Sequence, residues 1–307
     1  MKKVVVATEK PFASVAVDGI RNILEEAGYE VVLLEKYGAA NELCQGVADA
    51  EALIVRSDKV TKAVVDSAPE LKIVVRAGAG YDNIDLDACS EKKIIAMNTP
   101  GQNSNAVAEL ALGMMIYMAR NGYTPETGSE LKEKKLGIHA YGNVGKLVAA
   151  LGKGFGMEVY AFDPFVDPEQ LKKDGVCPVT DVNELYATCQ YISLHIPAND
   201  ETKKSIGYDL ISSMPKGGTL VNTARKEVID EEGLFKAMME RNDLKYASDI
   251  APDGLSKIQN GVGSRVFATP KKMGAETAEA NINAGLAAAQ QIVDFFEKGI
   301  TKFQVNK

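Results

Sequence analysis

A short apolar strand that runs into a glycine-rich turn and then a helix is the feature that most constrains this fold. Residues 136–145 read LGIHAYGNVG, and apolar side chains continue at helical spacing in residues 147–151. In such a unit the backbone N–H groups at the helix N-terminus bind a pyrophosphate. The sequence therefore predicts a dinucleotide site. The predicted contacts in the turn are Tyr141, Gly142, Asn143, Val144 and Gly145.

Asp163 supplies the second half of this prediction, because it ends the next apolar segment eighteen residues after Gly145. A carboxylate at this place accepts hydrogen bonds from the adenosine ribose hydroxyls, and its charge repels the 2′-phosphate of NADP. NAD is therefore the predicted cofactor. Ala140 stands where the first glycine of the G-x-G-x-x-G pattern would be. A positive φ at an alanine costs about 1 to 2 kcal/mol.

Composition sets the class of protein and excludes several partners. The length of 307 residues is typical of two domains, and the net charge of −7 argues against nucleic acid or an anionic membrane as a partner. The four cysteines lie far apart with few histidines, so we predict no metal site and no disulfide framework. We expect a cytoplasmic protein, because no secretory signal and no membrane-length apolar run is present.

Two series of β-branched segments alternate with helical patterns, which predicts an α/β fold with two wound parallel sheets. The predicted strands lie at 4–7, 29–34, 52–55, 73–75, 94–97, 136–139, 159–162, 191–194, 219–221, 246–248 and 266–268. Residues 103–120 form an almost wholly apolar helix that must be buried, either in a core between domains or also in a subunit contact. The Ala-rich helix at 281–298 is expected to return to the first domain.

Several motifs resemble the D-isomer-specific 2-hydroxyacid dehydrogenase family. They read NTAR at 222–225, SLHIP at 193–197, RAGAGYDNID at 76–85 and NTPGQNSNAVAE at 98–109. The resemblance implies a flavodoxin-like substrate domain from residues 1–98 plus 279–307 and a Rossmann NAD-binding domain from residues 99–278. It further implies an active site in the cleft and a homodimer built around the long apolar helix. We expect a short form of the enzyme, without regulatory domains.

The resemblance also assigns roles to single residues. It implies that Arg225 binds the substrate carboxylate and polarises the substrate carbonyl. A guanidinium forms two parallel hydrogen bonds to a carboxylate and keeps its proton. Asp249 matches the acid that contacts the nicotinamide carboxamide. The further implied coenzyme contacts are His195, Ile196, Pro197, Thr202, Thr223 and Ala224. The alternatives are a salt-bridged Arg225 at a strand end and a structural His195.

The acid/base residue departs from the family. Members carry a histidine in T-P-H-x-G-A-x-T, paired with a glutamate, whereas residues 269–277 here read TPKKMGAET. Counting back from residues 274–277 places Lys272 at the histidine position and makes Lys271 an insertion. Counting from Asp249 places Gly254 at the glutamate position, with Asp253 adjacent. Lysine, with a reference pKa of about 10.4, donates a proton readily, but oxidation requires its neutral form and hence a lowered pKa. Alternatively, both lysines are solvated surface charges.

The predicted substrate contacts lie after two strands of the first domain, where a small anion would bind. They are Arg56, Ser57, Lys59, Arg76, Ala77, Gly78, Ala79 and Gly80, with the last four acting through backbone amides. This much positive charge suits a phosphate as well as a carboxylate. Alternatively, either arginine pairs with Asp58, Asp82 or Asp85.

Three functions follow. The first is NAD-dependent oxidation of 3-phospho-D-glycerate to 3-phosphohydroxypyruvate, a step toward serine. The second is the same chemistry on another D-2-hydroxy acid, such as glycerate, glyoxylate or lactate. The third is a non-catalytic, NAD-sensing protein like the corepressors that share this fold, which the missing histidine would permit.

Overall fold

The computed structural model describes residues 1–306. The chain forms two compact units, which we call the first and the second unit. The first unit contains Met1–Asn103 and the C-terminal segment from Glu276 onward, and the second is Ser104–Ala275. The predicted domain boundaries, and the assignment of the substrate to one domain and the coenzyme to the other, stay predictions.

The first unit contains a parallel sheet of five strands in the order β2-β1-β3-β4-β5. Its elements up to residue 98 are β1 (Lys3–Thr8), α1 (Ser14–Glu26), β2 (Glu30–Glu35), α2 (Ala40–Gly46), β3 (Ala52–Val55), α3 (Lys62–Ser67), β4 (Ile73–Arg76), α4 (Leu86–Glu91) and β5 (Ile95–Asn98). This is the flavodoxin-like order, in which ligands bind beyond the carboxyl ends of the strands where the order reverses. The reversal lies between β1 and β3, and Arg56 directly follows β3.

The second unit contains a parallel sheet of seven strands in the order β12-β11-β10-β9-β6-β7-β8. Its elements are α5 (Ser104–Ala119), β6 (Lys135–His139), α6 (Asn143–Gly154), β7 (Glu158–Phe162), α7 (Pro168–Lys173), β8 (Cys177–Pro178), α8 (Val182–Thr188), β9 (Tyr191–Leu194), α9 (Tyr208–Ser213), β10 (Thr219–Asn222), α10 (Glu231–Glu240), β11 (Lys245–Ser248), α11 (Leu255–Val262) and β12 (Val266–Ala268). Short 3-10 segments lie at Asn121–Tyr123, Lys226–Val228 and Gly263–Arg265. This is a Rossmann order, so the prediction of two wound parallel sheets is confirmed. The two-residue strand β8 was not predicted, because it has no apolar run of its own.

The helix α5 is a core element of the second unit. Its buried residues include Ala108, Ala111, Leu112, Met115 and Met118, and it packs against α6, β10 and β11. The predicted burial of this apolar helix is confirmed, whereas its part in a subunit contact stays a prediction. Among the helices of residues 1–306, none combines the length and apolar character needed to cross a membrane.

The last helix, α12 (Ala278–Lys298), belongs to the first unit and packs against α1. It begins three residues before the predicted start, because the Thr277 side chain caps it by accepting a hydrogen bond from the Ala280 N–H at 3.1 Å. The helices approach closely at Gly19, where an added Cβ would lie 2.4 Å from Leu286 Cδ2. Small residues therefore set the distance between the two helices.

Candidate coenzyme and active site

The predicted site residues of the second unit converge on one edge of its sheet. Asp163 follows β7, His195 follows β9, Thr223 follows β10 and Asp249 follows β11. Because these strands are parallel neighbours, their carboxyl ends share one edge. The order of the strands reverses between β6 and β9, which is where the glycine-rich turn begins.

The glycine-rich turn is strained at Ala140, which stands at the first glycine position of the pattern. Ala140 has a φ of +77°, so its methyl group accepts the left-handed conformation at a cost of about 1 to 2 kcal/mol. Gly145 has no room for a side chain, since an added Cβ would lie 2.3 Å from the Ala140 carbonyl oxygen. The turn is therefore held close to the first residues of α6.

The N-terminus of α6 is open to an anion. Gly142 is exposed, and an added Cβ there would meet no atom within 4 Å. Within residues 1–306 no side chain caps this helix end. Its first N–H groups lack partners within the helix and are available to a pyrophosphate.

The Asp163 carboxylate links this turn to the loop after β7. One oxygen accepts the Tyr141 N–H at 2.8 Å and the other accepts the Phe165 N–H at 2.9 Å. A carboxylate accepts about four hydrogen bonds, so capacity remains for ribose hydroxyls. The Tyr141 ring is buried, and its hydroxyl donates to Asp174 at 3.1 Å. Burial, with the Asp174 charge, raises the pKa of Tyr141 to about 12.

Two buried polar atoms at this edge have no hydrogen-bond partner in the described part of the chain. They are Thr223 Oγ1, after β10, and His195 Nε2, after β9. Buried polar atoms are rarely left unsatisfied, so a bound group is expected to supply their partners. With the open helix end and the Asp163 carboxylate, these atoms fit a dinucleotide.

His139 and His195, at the ends of β6 and β9, form a cluster with Tyr186, in which His139 and Tyr186 are buried and His195 is partly buried. His139 Nδ1 lies 3.2 Å from the Tyr186 hydroxyl, and the His195 N–H donates to the His139 carbonyl at 2.9 Å. Burial lowers the pKa of His139 to about 4, against the opposing charge of Asp163. Burial and then the neighbouring His139 lower the pKa of His195 to about 3. Both rings are therefore neutral in the folded protein near neutral pH.

This cluster predicts that the protein loses stability in mild acid. An unfolded histidine has a pKa of about 6.5, so below that value the unfolded chain binds protons that the folded chain does not. From about pH 7.5 to about pH 5.5 the pair should lower the free energy of unfolding by about 1 to 3 kcal/mol. Urea denaturation at both pH values measures this change, and the double variant His139→Gln and His195→Gln should lose most of it. An unfolding free energy that is equal at both pH values in the parent protein would contradict this prediction.

The Arg225 turn is braced by Asn222, a residue that the sequence prediction did not assign to the site. Asn222 Nδ2 donates to the Arg225 carbonyl at 2.9 Å, and its Oδ1 accepts the Ala224 N–H at 3.0 Å. An asparagine that bonds to the backbone two or three residues later is a common turn signal, which could have identified it. Arg225 forms no ion pair with any residue of 1–306, so the salt-bridged alternative is wrong.

The loop with the acid/base candidate is anchored to Asp249. Thr269 Oγ1 and the Met273 N–H donate to Asp249 Oδ1, and the Gly274 N–H donates to Oδ2. Lys271 and Lys272 are both exposed on this loop. Asp249 thus has a buried carboxylate with loop partners, which the sequence prediction missed, while its contact with the carboxamide stays a prediction.

Gly254, at the position of the family glutamate, lies beside the side chain of Glu231. The Gly254 N–H donates to Glu231 at 2.8 Å, and Asp253 Oδ1 lies 2.5 Å from Lys226 Nζ. Asp253 is therefore bonded to the lysine that follows Arg225.

Thr202, the weaker coenzyme candidate, donates its hydroxyl to the Pro197 carbonyl at 2.6 Å and so closes the loop after β9. Ile196 is buried on this loop, whereas Pro197 is exposed.

In the first unit the Arg56 guanidinium bonds to carbonyls instead of carboxylates. It donates to Lys10 O at 3.2 Å, Pro11 O at 3.3 Å and Asn281 Oδ1. The Asp58 carboxylate accepts the backbone N–H of Arg56 at 3.2 Å, and its other oxygen accepts the Glu9 N–H at 2.7 Å and the Tyr37 hydroxyl at 2.6 Å. The alternative in which Arg56 forms an ion pair with an aspartate is therefore wrong. Ser57 and Lys59 are exposed on the same loop.

Arg76 lies against a glycine turn that only glycine can form. Arg76 Nε donates to the Arg56 carbonyl at 3.0 Å. Gly78 has a φ of +148°, and an added Cβ would lie 1.5 Å from Arg76 Nη1. The Ala77 N–H donates to Val55 O at 2.8 Å and the Gly78 N–H donates to Arg76 O at 2.9 Å. Two of the four predicted amide contacts are therefore already in use within the chain.

The open helix end, the Asp163 carboxylate and the two unsatisfied polar atoms define a dinucleotide-binding α/β protein. Residues 108–260 match the NAD binding domain of the D-isomer specific 2-hydroxyacid dehydrogenase family. The chain belongs to this family.

Individual relatives agree with this assignment. The structure of NAD+-bound 3-phosphoglycerate dehydrogenase from Entamoeba histolytica is 53% identical with a TM-score of 0.86, covering 100% of this chain and 99% of that chain. D-3-phosphoglycerate dehydrogenase from Methanocaldococcus jannaschii is 37% identical, covering 88% of this chain and 54% of the relative. Hydroxypyruvate reductase from Thermotoga maritima is 34% identical, covering 88% of this chain and 92% of the relative. The chain thus spans about half the length of the Methanocaldococcus protein and nearly all of the Thermotoga protein.

Proposed function

We propose that this protein catalyses the NAD-dependent, reversible oxidation of 3-phospho-D-glycerate to 3-phosphohydroxypyruvate, a step in serine biosynthesis. The observation that carries the proposal is the arrangement of the second unit, where one sheet edge bears the coenzyme-binding features, Arg225 and the anchored Lys272 loop. The similarity to 3-phosphoglycerate dehydrogenases supports the choice of substrate.

Arg225 holds the substrate carboxylate and polarises the neighbouring oxygen. Its guanidinium offers two parallel charge-assisted hydrogen bonds, which orient a planar carboxylate as well as bind it. The Asn222 brace fixes the backbone from which this side chain extends. Such pre-organised donors stabilise charge that develops on the substrate oxygen.

Lys272 moves the proton. In the oxidation its neutral amine accepts the hydroxyl proton, and in the reduction its ammonium returns a proton to the carbonyl oxygen. Bound NAD supplies the acceptor for the hydride. No histidine serves this role, because His139 and His195 both lie in the cluster at the ends of β6 and β9.

Arg76 is the proposed phosphate ligand. Its side chain lies over Gly78. The amides of Ala79 and Gly80, which follow in the chain, remain candidates for anion binding. Arg56 supports Arg76, since its carbonyl accepts the Arg76 Nε–H. The predicted contacts of Ser57 and Lys59 are retained as part of this proposal.

A parallel substrate assay tests the proposal. NADH consumption is followed with phosphohydroxypyruvate, hydroxypyruvate, glyoxylate and pyruvate, and kcat/KM should be highest for the phosphorylated acid. Arg76→Gln should lower kcat/KM for phosphohydroxypyruvate by about 10- to 100-fold, the usual loss for a hydrogen bond to a charged group. The same variant should leave hydroxypyruvate turnover nearly unchanged, which makes hydroxypyruvate the internal control.

Other outcomes select the other functions. A preference for an unphosphorylated acid would favour a dehydrogenase for another 2-hydroxy acid, a possibility that the Thermotoga relative named hydroxypyruvate reductase supports. NADH binding without turnover of any of the four acids would favour an NAD-sensing protein. Either result would overturn the proposed substrate.

We also propose a homodimer in the cytoplasm. The apolar helix α5 supports the homodimer. The four free cysteines of residues 1–306 support the cytoplasm, because free thiols are typical of a reducing compartment.

A further inference from the structure

The carboxylate of Asp249 is the most completely bonded acidic group at the sheet edge of the second unit. Asp249 is only 1% exposed and follows β11 directly. It accepts the Met273 N–H at 2.7 Å, the Thr269 hydroxyl at 3.1 Å and the Gly274 N–H at 2.8 Å. These three donors flank residues 270–272 on both sides, so one carboxylate closes the loop that contains Lys272.

Packing shows how closely the loop approaches the carboxylate. An added Cβ on Gly274 would lie 2.9 Å from Asp249 Oδ2 and 3.2 Å from Val107 Cγ2 on α5. The Gly274 amide therefore reaches the carboxylate because this residue has no side chain. The loop begins at Thr269, whose N–H donates to Ser248 O at 3.0 Å.

The backbone of Asp249 is bonded to the other half of the active site. Its N–H donates to the Asn222 carbonyl at 2.9 Å, and the Asn222 side chain braces the Arg225 turn. A single residue thus joins the Arg225 turn, through its main chain, to the Lys272 loop, through its side chain. Each link is short and largely shielded from water, which favours a fixed geometry.

We propose that Asp249 is a positioning residue that fixes the Lys272 loop before any coenzyme binds. The catalytic consequence of this inference rests on the proposed function, in which Lys272 transfers the proton. A carboxylate accepts about four hydrogen bonds, so the three loop donors leave one site for the implied carboxamide contact. The two roles predict different results when Asp249 is changed.

Asp249→Asn tests the positioning role. An asparagine offers one acceptor oxygen and one NH₂ group, so at least one loop N–H would face a donor and lose its partner. In coenzyme-free protein, hydrogen–deuterium exchange at Met273 and Gly274 should accelerate about 10- to 100-fold, as expected for the loss of a hydrogen bond to a charged acceptor. The kcat for phosphohydroxypyruvate reduction should fall as well. Because Asp249 is also the implied carboxamide ligand, the Kd for NADH separates the two roles only in a variant that leaves Asp249 unchanged.

Gly274→Ala tests the same link without altering Asp249. Its methyl group should push the amide from the carboxylate, so exchange at Met273 and Gly274 should rise and kcat should fall. The Kd for NADH, from its fluorescence, should stay within about twofold of the parent value. Asp253→Asn is the matched control for exchange, because this exposed aspartate bonds to Lys226. It should leave the exchange of the Lys272 loop unchanged. Continued protection of β6 and α6 verifies that each variant is folded.

Unchanged exchange in both variants would overturn the inference, and so would unchanged exchange with a raised Kd for NADH in Asp249→Asn. The exchange measurement needs no substrate. If the parent protein turns over no 2-oxo acid while exchange still rises in both variants, the proposed function fails and the positioning of the loop stands.

Discussion

Lys272→Ala should lower kcat by about 10²- to 10⁴-fold in both directions, the usual contribution of a general acid or base. Lys271→Ala should change kcat by less than about threefold, because a solvent-exposed charge interacts only weakly with the charged groups near it. The two lysines are adjacent and both exposed on the loop after β12, so each is a matched control for the other. Steady-state kinetics with NADH and phosphohydroxypyruvate measures the difference. Equal losses in the two variants would contradict the assignment.

The pH dependence of kcat in the parent protein should also reflect proton transfer by Lys272. Oxidation requires the neutral amine, so its kcat should rise with pH toward the pKa of the lysine, whose reference value is about 10.4. Reduction requires the ammonium, so its kcat should stay level through neutral pH and fall only in alkali. Lys272→Ala should remove both dependences, and an alkaline limb that persists in this variant would show that another group titrates.

Arg225→Gln should lower kcat/KM for the 2-oxo acid by about 10³-fold or more, because it removes the carboxylate clamp and the polarising charge together. Arg225→Lys keeps the charge but loses the fork, so it should recover only a small part of this loss. The Kd for NADH should be nearly unchanged in both, since the pyrophosphate site lies at the start of α6.

The comparison of the two variants makes this prediction specific. An Arg225→Lys variant with parental kcat/KM would show that charge alone suffices and that the guanidinium does not orient the carboxylate. A raised Kd for NADH in Arg225→Gln would instead assign the arginine to the coenzyme.

The sequence predicted those parts of the molecule that depend on neighbours along the chain. Apolar runs such as 52–55 and 191–194 correspond to strands with these bounds, and alternating strands and helices allow few sheet orders. The glycine pattern located the start of α6, because one turn contains all the residues involved. Whether Ala140 adopts a positive φ was decided only by the structure.

Several of the missed features depend on partners distant in sequence. Asp249 is bonded to a loop more than twenty residues later, and Arg56 donates to Asn281, which no local pattern indicates. The Tyr141 ring is buried, and its hydroxyl donates to Asp174 at the end of α7, a partner that the spacing does not indicate. Its contact with the coenzyme stays a prediction. Packing in three dimensions decides such roles, and a spacing rule does not contain that information.

The most direct test of the central claim is a crystal structure of the complex with NADH and 3-phospho-D-glycerate, an unreactive pair. We predict Lys272 Nζ within about 3 Å of the C2 hydroxyl oxygen, the reach of a proton-transferring group. The same structure should show two parallel hydrogen bonds from Arg225 to the carboxylate. An ordered complex in which Lys272 points into solvent while another side chain bonds to the C2 hydroxyl would contradict the claim.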